Sequence, residues 1–284
     1  MDVLTLYSDQ GSLVGIRTGN EGIIVDAHMP ECDHVTPGEI QQSLSAYFKG
    51  VTIRGLILTG FDADHAHMIG VEWLLWQFVP DWIMYPKCFK DTDNATSVFR
   101  SIDKHEKRRV STNRPLIRHS VRLDMLDSRE IKGLGQQFTL ELFSPHSEDM
   151  DSSNNSSIVA KITGTGSRGF RYLATGDTET NRWETISKLF GTHLAADVMA
   201  AAHHGALSGM HAQTLLNVSP NTVLISAGVE SQYDHPHGAA VRAYQAVAQH
   251  VWSTNAGGMA NNLLTRREGL AFNTTVFAHA LVPA

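Results

Sequence analysis

The sequence is short of cysteine, of long apolar runs and of charge, and each shortage removes a class of protein. Cys32 and Cys88 are its whole cysteine content, too few for a disulfide framework and too far apart for a thiolate metal knuckle. Both thiols are expected to be inert. No apolar stretch approaches the roughly 18 residues a spanning helix needs, and Met1-Asp2 opens a terminus without a secretory leader pattern. A cytoplasmic protein that does not enter a membrane is the expectation. No GxxxxGK[ST] phosphate loop occurs, and no glycine-rich turn is read as a nucleotide loop. Charged residues make up only 18%, against 42% hydrophobic, so the chain has material for a large core and global disorder is excluded. With no Ser/Pro/Gly-rich linker in sight, one domain over residues 1–284 is expected.

The charge that is present is unevenly placed. From Lys87 to Arg122 ten Lys/Arg face four acids, a local +6 that leaves −12 on the rest of a chain whose net charge is −6. A basic segment on an acidic body suits contact with a phosphate backbone; the alternative is a solvated helix face. Asn94 to Arg109 reads as a helix capped by Asp93 or Asn94, and Lys104, Lys107, Arg108 and Arg109 are its candidate substrate-binding residues.

Metal-capable side chains are concentrated where apolar runs stop. Gly55-Leu56-Ile57-Leu58 reads as a buried strand, and Asp62, Asp64, His65 and His67 follow within six residues. Carboxylates mixed with imidazoles suit zinc, manganese or iron(II) better than calcium. In an extended loop Asp62 and Asp64 would face one way. Three later runs repeat the pattern: Arg171 to Ala174 leads to Gly176-Asp177, Val198 to Ala202 to His203-His204-Gly205, and Val223 to Gly228 to Tyr233-Asp234-His235-Pro236-His237. Taken singly these are ordinary turns; four apolar strands ending in Asp or His are hard to explain by packing. Short strands near residues 3–7, 12–17 and 22–26 read as hairpins, and Pro37–Phe48, with Thr36 as cap, and Ile69–Phe78 as helices, which together imply mixed α/β layers.

These motifs resemble the metallo-β-lactamase superfamily, whose HxHxDH loop follows a strand and precedes a bridging Asp and a final His. One branch, the hydrolase domain of the competence DNA-uptake channel protein, is similar at Gly60-Phe61-Asp62-Ala63-Asp64-His65, Leu173-Ala174-Thr175-Gly176-Asp177, Ala202-His203-His204-Gly205 and Asp234-His235-Pro236-His237. Asn154 to Val159, Asp9 to Ser12 and Ile24 to Asp26 resemble further parts of that branch, so the likeness runs from about Val3 to Thr254, without the channel. It implies a four-layer αββα sandwich, two mixed β-sheets flanked by helices. It also implies two divalent ions, Zn²⁺ or Mn²⁺: Asp64, His65, Asp177 and one of His235 or His237 at one, Asp62 with His203 or His67 at the other. Gly60 stands where the family has its first His and supplies no ligand. A site rearranged around His67, a site filled at one metal, and a scaffold without catalysis all remain open.

The function this implies is a metal-dependent hydrolase of phosphodiesters, a nuclease acting on DNA or another nucleic acid through a binuclear site with a bridging hydroxide. Asp64, His204 and Tyr233 are its candidate catalytic residues. The alternatives are a metallo-hydrolase of small molecules (a cyclic nucleotide, lactone, thioester or phosphocholine ester) and a non-catalytic module that binds a partner protein or a second copy of itself.

Overall fold

The computed structural model describes residues 1–124, 127–147 and 152–278. Six strands begin the first sheet: β1 (Asp2–Thr5), β2 (Val14–Thr18), β3 (Glu21–Val25), β4 (Thr52–Ile57), β5 (Trp82–Pro86) and β6 (Ile117–Val121). The second sheet follows with β7 (Arg129–Ile131), β8 (Phe138–Ser144), β9 (Val159–Gly164), β10 (Arg171–Ala174), β11 (Val198–Ala200), β12 (Thr222–Ile225) and β13 (His250–Ser253). Finally β14 (Asn261–Glu268) and β15 (Ala271–Ala278) return to the first sheet, whose order is β15-β14-β1-β2-β3-β4-β5-β6, against β13-β12-β11-β10-β9-β8-β7 in the second. Strands β3 to β6 run parallel, as do β10 to β13, while the outer pairs are antiparallel hairpins.

Helices cover both outer faces. The first sheet carries α1 (Pro37–Tyr47), α2 (Met68–Phe78) and α3 (Asp93–Arg109), and the second carries α4 (Thr180–Phe190), α5 (Ala212–Val218) and α6 (Gly238–Val247). Successive residues of a strand point to opposite faces, and in central strands such as β3, β5, β10 and β12 both faces are buried, so their runs are mostly apolar, whereas the outer strands β6, β7 and β15 are largely exposed or half-buried. Val3, Ile23, Tyr172 and Val198 fill the layer between the sheets. Their neighbours Leu4 and Ile24 pack with Leu44, Leu74 and Ile102 of the first three helices, and Leu173 and Met199 with Trp183, Leu215 and Tyr244 of the other three. Each such side chain contributes about 1.5–3 kcal/mol by burial. This is the expected four-layer αββα arrangement.

Local signals explain most element ends. Thr36 caps α1 through a reciprocal pair with Glu39, and Pro37 takes the first helical position. The cap of α3 departs from expectation, being Thr92, whose hydroxyl accepts from Ala95 N. Asn94 instead donates from Nδ2 to the carbonyls of Phe61 and Ala66, tying the start of α3 to the loop after β4. Gly164 to Gly169 matches the bare glycine spacing of a dinucleotide loop but is the turn between antiparallel β9 and β10, with no helix behind it. Among the described residues no helix is long and apolar enough to cross a membrane.

Candidate metal centre

Parallel strands deliver their C-terminal ends to one edge of a sheet, where open α/β folds place their sites. In the first sheet that edge carries Asp26 after β3, Asp62 to His65 after β4 and Lys87 to Lys90 after β5; in the second it carries Asp177 after β10 and His203-His204 after β11. The loop after β4 is not extended. The N–H groups of His65 and Ala66 both donate to Asp62 O, which closes a turn. Outside ties fix the turn: Ser12 N donates to Asp64 O and Ala27 N to His65 O. Gly11 makes this approach possible, since a Cβ there would lie 2.0 Å from the His28 ring and 2.6 Å from Asp64 O.

One donor atom each from Asp64, His65, Asp177 and His204 lies within 4.8 Å of all the others. His65 Nε2 is 2.8 Å from Asp177 Oδ1, and His204 Nε2 is 3.6 Å from both Asp177 Oδ1 and Asp64 Oδ2. The rings are oriented from behind. His204 Nδ1 donates to Ser226 O at 3.0 Å, and His65 Nδ1 faces Asp26 Oδ2 at 2.9 Å, so each imidazole turns Nε2 to the centre. Asp26 is itself held by the N–H and hydroxyl of Thr59.

These residues fit a divalent cation. His65 Nε2, Asp177 Oδ1 and His204 Nε2 are buried without an aligned hydrogen-bond partner, His65 and Asp177 being close but misdirected for one. A buried polar atom left so costs about 1–3 kcal/mol, and a shared cation removes that penalty for all three. The charges are strongly coupled. Burial favours neutral His65, yet the carboxylates of Asp177 and Asp26 outweigh it and raise its pKa well above the imidazole range. His204 is likewise raised, with burial opposed by Asp177 and Asp64. Burial pushes the Asp177 and Asp64 carboxyls up, but the neighbouring histidines prevail and hold both down.

The other expected site residues fall in three places. His203, His235, Asp62 and Tyr233 line a cleft of about 520 Å³ that opens over Asp64, Asp177 and His204. In that cleft His203 Nε2 is 3.8 Å from Asp177 Oδ2 and its Nδ1 is 3.2 Å from Ser208 Oγ. His235 Nδ1 accepts from Gln10 Nε2; burial, followed by the nearby histidines, lowers its pKa to about 4, and the Tyr233 ring lies 22° from parallel to it at 5.8 Å. His237 is taken up structurally, its Nδ1 accepting from Leu207 N ahead of α6. His67 sits at the start of α2 with its ring against His28 and joins no donor group. Neither residue of the His235-Pro236-His237 loop is in the four-donor set; His204 stands there instead. Of the adjacent pair, His203 is the expected ligand and His204 the expected catalytic residue; in the structure His204 lies among the four donors and His203 lines the cleft.

The basic segment is also rearranged. Arg109 is buried, and its guanidinium donates to the carbonyls of Pro80 and Arg114, which removes it as a substrate contact. Lys104 pairs with Glu72, and Arg108 lies 4.3 Å over the Trp76 ring, while Lys107 is exposed. None of the four lines the cleft. Lys90 does, and it also lines an adjoining groove of about 510 Å³ with Lys87, Phe89, Ser152 and Ser153. The sequence signal for Lys87 and Lys90 was their place in the basic run, directly after an apolar strand. Asp26 also ends an apolar run and lies in a stretch that resembles the family branch, but neither sign marks it as the partner behind His65.

No family model matches the chain. It is 28% identical over 212 residues to ComE operon protein 3 of Bacillus subtilis (strain 168), a match covering 74% of this chain and 24% of that protein. The chain thus spans about a quarter of that relative's length. Its structure is similar to the metallo-beta-lactamase fold protein YhfI from Bacillus subtilis, with TM-score 0.50 and 12% identity over 96% of this chain and 99% of that one. Igni18, a novel metallo hydrolase from the hyperthermophilic archaeon Ignicoccus hospitalis KIN4/I, aligns with TM-score 0.49 and 13% identity over 98% and 100%.

Proposed function

The chain has the metallo-β-lactamase fold, and on that premise we propose that it is a metal-dependent hydrolase of phosphodiesters, with nucleic acid as its substrate. The observation that carries the reading is the convergence of three buried donor atoms that lack an aligned hydrogen bond, His65 Nε2, Asp177 Oδ1 and His204 Nε2, with the carboxylate of Asp64. These four residues would hold a divalent cation, which when bound would supply Lewis-acid polarisation of a phosphoryl oxygen and a water acidic enough to attack near neutral pH. His203 faces the cleft with Nδ1 fixed by Ser208 and Nε2 free to carry a proton to the leaving oxygen. Lys90 supplies positive charge beside the four cleft carboxylates of Asp9, Asp62, Asp64 and Asp177, where a phosphate diester would otherwise be repelled. Lys87 and Lys90 extend that grip along the neighbouring groove, in the place first given to the α3 face. The resemblance of its strand-end motifs to the hydrolase domain of the competence DNA-uptake channel protein supports a nucleic-acid context.

The test is incubation of the purified protein with single- and double-stranded DNA and Mn²⁺ or Zn²⁺. Cleavage that disappears in Asp64→Ala is the expected result; no cleavage with either ion, or an Asp64→Ala rate equal to wild type, rejects the reading. A second reading, hydrolysis of a small phosphate or carboxylic ester, is favoured by the size of the cleft, about 520 Å³, which is that of a small-ligand site. Steeply salt-dependent DNA binding selects the first reading and its absence the second.

A further inference from the structure

We propose that the centre retains a single cation, held by Asp64, His65, Asp177 and His204, and that the position beside it is too poor in donors to keep a second. The inference rests on the metal-centre reading and adds its stoichiometry. Asp177 turns its two oxygens to different sides, Oδ1 to His65 and His204 and Oδ2 to His203. A second ion would therefore share Asp177 through Oδ2 and gain His203. Among the described residues no further set of three or more His, Cys, Asp or Glu donor atoms comes as close together as the first four do.

The residues that might complete the second position are engaged or misplaced. His67 is packed against His28, His237 Nδ1 accepts from Leu207 N, and His235 Nδ1 accepts from Gln10. Asp62 shares the cleft but, among the described residues, belongs to no group of three or more converging donor atoms. Gly60 offers no donor, and the space a Cβ there would take is open. Protein-held cations are kept by three or four protein ligands, as zinc sites illustrate; one full ligand and one shared carboxylate fall short of that.

The test counts ions rather than turnover. Wild type, Asp62→Asn and Asp64→Asn are stripped with a chelator, reloaded with excess Zn²⁺ or Mn²⁺, desalted and analysed by plasma mass spectrometry, with circular dichroism to verify that each variant is folded. The expected result is about one ion per chain in wild type and in Asp62→Asn, and nearly none in Asp64→Asn. Two ions in wild type, falling to one in Asp62→Asn, overturn the single-cation inference and leave the metal-centre reading standing. No ion in folded wild type overturns the metal-centre reading itself.

Discussion

Asp26 is buried, yet it decides how His65 presents itself: with Asp26 Oδ2 at Nδ1, the ring can offer only Nε2 to the centre. Removing such a partner behind a metal-binding imidazole typically lowers affinity about 10- to 100-fold. Asp26→Asn should therefore weaken Zn²⁺ binding at least about tenfold in a chelator competition, and unchanged affinity would count against the assigned geometry. The family resemblance puts Asp64, His65 and Asp177 among the expected ligands, and the structure brings their donor atoms together. Residue types and spacing could not separate His203 from His204, because both have left-handed backbones, with φ of 50° and 55°, a conformation that costs a non-glycine residue about 1–2 kcal/mol. That turn, invisible in the sequence, aims His204 inward and His203 at the cleft.

At the scale of elements, α3 engages Lys104, Arg108 and Arg109 within the fold, while Lys90 of the loop before it lines the cleft. The basic run was legible in composition, but burial decides which cations are available, and burial depends on how α3 packs against α2. Arg109→Ala should lower stability by about 2 kcal/mol through the lost bonds to Pro80 O and Arg114 O while leaving DNA affinity unchanged, measured by denaturant unfolding and by fluorescence anisotropy. Lys87→Ala with Lys90→Ala should do the reverse. Stability stays within about 0.5 kcal/mol, and the slope of log affinity against log salt becomes shallower by up to about 2. An unchanged slope removes the loop from the substrate path. Strand and helix positions were largely readable from apolar runs and caps; the turn at Asp62 was not, since its hydrogen bonds compete with an extended loop of the same composition.

Across the whole molecule the two sheets meet through polar contacts as well as through the apolar layer. Glu21 of β3 is buried and accepts from the backbone N–H groups of Gln136 and Gln137, just before β8, and from Arg54. Burial pushes its carboxyl up, but these donors outweigh it and hold the pKa below the ordinary carboxylate value. A depressed pKa stabilises the fold above the unfolded value of about 4.3 and loses that contribution as pH falls through the folded value. Wild type should therefore exceed Glu21→Gln by about 2 kcal/mol at pH 7, with the gap narrowing towards pH 3 in urea titrations. An equal gap at both pH values would contradict the assignment. The four-layer architecture was legible from the order of strand-end motifs and their family likeness; the site's final composition depended on which edges the two sheets bring together. The most direct test of the account is an anomalous-scattering map from crystals grown with Mn²⁺ or Zn²⁺. It should show a peak bonded to Asp64, His65, Asp177 and His204 together; a fully loaded crystal with no peak there, or with its strongest peak on other residues, would contradict it.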